Sequence, residues 1–123
     1  MTLQELYQMI DGNYEQALRV LRMDKLLDKH IRKLTSNGVV ENLLEAGNAM
    51  DPTHLFETAH AMKGVCANLG LTRLSDAASE IAEEFRPGKA RRLTDDQVRA
   101  KIDAAVEKFR ATVQCIREYE ESA

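Results

Sequence analysis

Apolar residues recur at intervals of three and four along nearly the whole chain, the spacing that gathers them on one face of an α-helix. Leu3, Leu6, Tyr7 and Ile10 form the first run, and Thr2 with Glu5 has capping-box spacing at its start. Asp11-Gly12-Asn13 breaks it. Tyr14, Ala17, Leu18 and Leu21 begin a second, short helix, with a bend expected near Arg22-Met23-Asp24. Leu26, Leu27, Ile31 and Leu34 carry the pattern to the stop signal Thr35-Ser36-Asn37-Gly38. Val39, Val40, Leu43 and Leu44 predict another short helix, ending near Gly47. Asp51 is a cap and Pro52 suits the first helical position, so the next helix runs to about Gly70, a residue fit for a helix end. Leu74, Ala77, Ala78, Ile81 and Phe85 mark a further helix, which Pro87-Gly88 closes. Thr94 with Gln97 repeats the capping-box spacing ahead of a long stripe of Val98, Ile102, Ala105, Val106, Phe109, Val113 and Ile116. The pattern contains no strand signal and no internal repeat. It predicts an all-α fold: an antiparallel, up-down four-helix bundle with additional short N-terminal helices, built as one domain over residues 1–123.

Composition supports that picture and narrows the function. Only 6 Gly, 2 Pro and no Trp occur among 123 residues, while residues that lose little on entering a helix dominate. A net charge of −3 argues against a general affinity for nucleic-acid backbones. No apolar run approaches the ~20 residues of a membrane span. The N-terminus has no basic start followed by an apolar stretch, so no secretory signal is expected and the cytoplasm is the default. Cys66 and Cys115 form no CxxC pair and read as reduced core residues rather than a disulfide. Glu83-Glu84 reads as a solvated helix face. The basic run Arg86-Pro87-Gly88-Lys89-Ala90-Arg91-Arg92 reads either as a solvated interhelical loop or as a docking edge for an acidic partner.

The helix after Asp51 carries the candidate chemistry. At about 100° per residue, Leu55, Met62, Val65, Cys66 and Leu69 share one side, extended by Thr58 and Ala59. His60 projects almost opposite, which predicts an exposed imidazole. Phe56, Lys63, Gly64 and Ala67 fall on its sector. Gly64 stands in mid-helix, where glycine costs about 0.5–1 kcal/mol relative to alanine, a penalty that makes sense if something must approach the backbone beside His60. Lys63 sets a cation one turn along. A nucleophilic imidazole, an open approach and a nearby cation suit phosphoryl transfer, which depends on positioning and on stabilising charge at the equatorial oxygens. Imidazole as a group is a competent nucleophile near neutral pH. His54 and His30 read as ordinary surface residues. His54, His60 and Cys66 point in different directions on the helix, so no metal site is expected.

The run His60-Ala61-Met62-Lys63-Gly64-Val65-Cys66-Ala67-Asn68-Leu69-Gly70-Leu71-Thr72-Arg73-Leu74 resembles the signature of the histidine-containing phosphotransfer (HPt) family, H-x-[LM]-K-G-x-x-x-x-[LI]-G-x-x-x-L. Asp51 matches the family's capping aspartate, and Ile81 a recurring apolar position. The resemblance is best from about Asp51 to Phe85, and residues 35–48 look like a broken second helix. It implies a phosphocarrier rather than a turnover enzyme. His60 would accept a phosphoryl group from a receiver-domain aspartate or a histidine kinase and donate it to another receiver. By the same resemblance, Lys63 would hold the phosphoryl oxygens and Gly64 would give the partner room, while Phe56 and Ala67, on the same sector as His60, are candidate partner-binding residues. The resemblance implies no cofactor, Mg²⁺ being supplied by the receiver, and a monomer is the default. Many members place a Gln or Glu on the following helix to orient the imidazole; the matching residue here is Ala82, with Ser79 and Glu83 nearby.

Three rival readings follow from the same residues. One is an adaptor bundle that never carries phosphate. Another is a degenerate HPt domain that docks receivers without efficient transfer. The third is the phosphoacceptor module of a larger chemotaxis-type kinase, against which stand the initial Met1 and a last helix without a following linker.

Overall fold

The computed structural model describes residues 1–122. These form α1 (Leu3–Met9), α2 (Tyr14–Leu21), α3 (Asp24–Lys33), a 3-10 turn (Leu34–Ser36), α4 (Val39–Ala49), α5 (Pro52–Asn68), α6 (Thr72–Glu84) and α7 (Asp95–Ser122), with no strand among them. Short connections fold α4, α5, α6 and α7 back on one another as an antiparallel bundle. The Ser75 hydroxyl on α6 donates to the Lys63 carbonyl on α5 (3.4 Å), and Lys101 on α7 pairs with Glu80 on α6 (3.2 Å). The first bundle position is shared: α3 and α4, divided by the 3-10 turn and Gly38, both lie against α7. None of these helices is long and apolar enough to cross a membrane.

Local chemistry sets most boundaries. Thr2 and Glu5 form the reciprocal capping box, as do Thr94 and Gln97 before α7. Asn13 caps α2 through Gln16 N–H. The expected bend at residues 22–24 is a full break: Arg22 adopts φ 72° and Met23 is extended, so α2 and α3 are separate helices. The helix expected to end near Gly47 runs on to Ala49 and stops at Met50, φ 49°. Gly47 is buried inside it, where a Cβ would lie 2.8 Å from Ile102 Cδ1 on α7; its role is close approach rather than termination.

One core runs through the bundle, contributed by Leu6 and Tyr7 of α1, Leu27 and Ile31 of α3, Leu43 of α4, Leu55 and Met62 of α5, Ile81 of α6, and Ile102 and Ile116 of α7. The N-terminal helices are fastened to the α5–α6 corner. Tyr7 Oη donates to the Leu69 carbonyl (2.6 Å), and Asn13 N–H donates to the Gly70 carbonyl (2.7 Å). Gly70 has φ 68°, and a Cβ there would come within 2.3 Å of Asn13 O, so glycine is required both for the turn and for the contact. At the far side, Tyr119 of α7 donates to Asp28 of α3, and the Arg32 guanidinium lies 5.1 Å from the Tyr119 ring centre.

The acidic pair is not a solvated face, and of the two core thiols only Cys66 is fully enclosed. Glu83 is half-buried and pairs with Arg86 and Lys89, while Glu84 is buried rather than solvated. Its Oε2 accepts from the amides of Arg92 (2.9 Å) and Leu93 (2.6 Å), with Arg91 at 3.9 Å. Burial alone would raise the Glu84 pKa, but the two amides and the Arg91 and Lys89 cations outweigh it and hold the carboxyl below its ordinary value. The basic run at residues 86–92 is therefore a stitched loop: Arg91 also pairs with Asp95 (3.0 Å) and lies over the Phe85 ring. Cys66 is fully buried, and burial pushes its thiol up to about 12. Cys115 is only half-buried at the edge of the core, and both thiols are free.

Candidate functional site

The helix that carries His60 is fixed at both ends by its own sequence. Asp51 Oδ1 accepts from the amides of Thr53 (3.1 Å) and His54 (3.5 Å), and Pro52 occupies the first turn. Leu69 and Gly70 close the other end. Leu55, Thr58, Ala59, Met62 and Cys66 are buried against the bundle, as their spacing predicts, and Val65 is half-buried. The Thr58 hydroxyl returns to the His54 carbonyl (2.9 Å), so its one polar group needs no other partner.

On the opposite side the imidazole of His60 is exposed. Gly64, one turn on, is also exposed, and a Cβ built there meets no other atom within 4 Å. The space beside His60 is thus open to solvent. Lys63 and Ala67 are half-buried on the flanks of this face. Lys63 forms no ion pair among the described residues, leaving its ammonium available to an incoming anion. The four residues therefore share one face of α5. Phe56 differs from its sequence reading as a plain outward residue: it is half-buried, packs on the core, and stacks on His60 with ring centres 5.6 Å apart and planes 17° from parallel. His54 is half-buried in the first turn and His30 is exposed on α3.

On α6, Ala82 is buried and presents only a methyl group to the bundle. The Glu83 carboxylate is engaged by Arg86 and Lys89. Among the described residues no side-chain hydrogen bond reaches the His60 ring, and its aromatic contact is Phe56. Sequence reasoning missed that stack. The spacing of four between Phe56 and His60 was the available signal, since side chains so spaced meet along a helix.

The described residues thus form an all-helical antiparallel bundle that displays an exposed imidazole beside an uncovered glycine and a lysine without an ion pair. The family model for the Hpt domain matches residues 23–112, well over half of the chain, and the chain belongs to that family. Its members are phosphocarrier modules of two-component phosphorelays rather than turnover enzymes. No curated protein and no solved structure matches the chain.

Proposed function

We propose that this chain carries a phosphoryl group on His60 between a histidine kinase or receiver domain and a response regulator. A lone pair of the imidazole attacks phosphorus as the P–O bond to the donor aspartate breaks, and the electron pair leaves on that carboxylate. The ring's remaining proton is free to pass to solvent. Lys63 holds the phosphoryl oxygens, Gly64 lets the donor come close, and Ala67 and the outer edge of Phe56 border it. Mg²⁺ belongs to the receiver, and the carrier needs no cofactor of its own. We further read the carrier as a cytoplasmic monomer, acting on protein partners and on neither nucleic acid nor membrane.

The observation that carries this reading is the shared face: His60 exposed, Gly64 exposed with open space at its Cα, and Lys63 unpaired beside them. A docking-only module is the second reading, favoured by the methyl group of Ala82 on the neighbouring helix. The test is phosphotransfer from a panel of phosphorylated receivers and kinases to wild type and His60→Gln. Acid-labile, alkali-stable label on wild type alone supports the carrier. A folded wild type that takes no label from any donor, yet binds receivers, supports the docking-only module.

A further inference from the structure

An imidazole on an exposed helix face turns about two side-chain bonds, and only part of that range aims a ring nitrogen at an incoming phosphorus. Something must limit the rotation if transfer is to be efficient. In this chain the ring contact of His60 among the described residues is aromatic. Phe56 lies one turn before His60, on the side toward which helical side chains lean. The two rings are 17° from parallel with centres 5.6 Å apart, an offset stack. Phe56 is itself seated against the core, so it is a fixed surface rather than a second mobile group. The phenyl ring lies against one side of the imidazole, displaced rather than face-on, and His60 stays exposed. The nitrogen lone pairs lie in the plane of the imidazole ring.

We propose that Phe56 is the positioning residue for His60: its phenyl ring clamps one face of the imidazole and presents the nitrogen-bearing edge outward for attack. This rests on the phosphocarrier reading above. It assigns Phe56 a role within the free protein, distinct from a role in touching the partner.

The experiment separates the two roles with a donor that has no docking surface. Phosphoramidate passes its phosphoryl group to the imidazole as its own P–N bond breaks and ammonia leaves. Wild type, Phe56→Leu and Phe56→Tyr are compared for labelling by phosphoramidate and by a phosphorylated receiver, alongside the NMR signals of the His60 ring protons. Stacking predicts ring protons displaced from free-histidine positions by the phenyl ring current in wild type and returned toward them in Phe56→Leu. It predicts labelling slowed about two- to tenfold in Phe56→Leu with both donors, the population change that an aromatic pair's preference sustains, and largely recovered in Phe56→Tyr. Normal phosphoramidate labelling of Phe56→Leu with slow transfer from the receiver alone would overturn the proposal and return Phe56 to the partner interface. His60 signals at free-histidine positions in wild type would overturn it whether or not the leucine variant folds. If wild type takes no label but shows the ring-current shift, the phosphocarrier reading fails while the stack itself stands.

Discussion

Replacing Gly64 with alanine sets stability and transfer against each other. Gly64 lies inside α5, away from both caps, and a Cβ there meets nothing within 4 Å. The substitution therefore adds no clash and removes glycine's excess backbone freedom. The gain is about 0.5–1 kcal/mol, since no packing term opposes the helix preference. For a domain of this size that is a rise of roughly 2–5 °C in Tm. The same methyl group stands in the space through which a donor must approach His60. A receiver held off by about an ångström should transfer roughly ten- to a hundredfold more slowly. The loss with phosphoramidate, a much smaller donor, should be less. Thermal denaturation followed by circular dichroism, with timed transfer from a phosphorylated receiver, measures both halves. A lowered Tm would mean that the space beside His60 is not open. An unchanged receiver rate would mean that Gly64 does not serve the approach of a partner.

Glu84→Gln should destabilise the fold by about 1–3 kcal/mol, because two amides lose a charged acceptor in a buried site. The Glu84 pKa is lowered in the fold, so its contribution is complete above the unfolded value near 4.5 and fades as pH falls through the folded value. Urea melts of both proteins should differ most at neutral pH and converge in acid; a constant gap down to pH ~2 would contradict the assignment. Gly70→Ala forces φ 68° on a residue with a Cβ and drives that atom to 2.3 Å from Asn13 O, so a loss of at least ~2 kcal/mol is expected by the same melts. A thiol reagent at pH 8 should modify half-buried Cys115 before Cys66, whose thiol burial pushes up to about 12. Mass mapping of the first adduct checks this, and an initial adduct on Cys66 would contradict it.

Helix existence was legible because its determinants are local. Thr2 with Glu5, Asp51 with Pro52, and Thr94 with Gln97 each lie within four residues of the groups they satisfy. The face bearing His60, Lys63, Gly64 and Ala67 follows from helical period alone. What the sequence hid depends on distant partners. Gly47 looks like a terminator until Ile102 of α7 is seen beside it. Arg22 is neither glycine nor asparagine, and nothing local announces its positive φ. Glu84 had a faint signal, since it follows Ile81 by three residues on the buried side of α6. Its partners, the amides of Arg92 and Leu93, belong to a loop whose path the sequence does not fix. The same loop geometry neutralises most of the basic run that could be read as a docking edge.

The stretch recognised as an Hpt domain, residues 23–112, is smaller than the unit that folds. The carbonyls of Leu69 and Gly70, at the corner where the His60 helix ends, are satisfied by Tyr7 and Asn13, which lie outside that stretch. Tyr119, which holds α3 from the other terminus, lies outside it too. Residues 1–22 therefore act as a strap over the last turn of the His60 helix, and detachment of the strap and fraying of that turn become one opening event. Hydrogen exchange at the amides of residues 67–71 would report the strap's release, although Tyr7 and Asn13 are more than fifty residues away in sequence. An excised segment beginning at residue 23 would keep the whole signature and lose the rigidity of the helix that presents it.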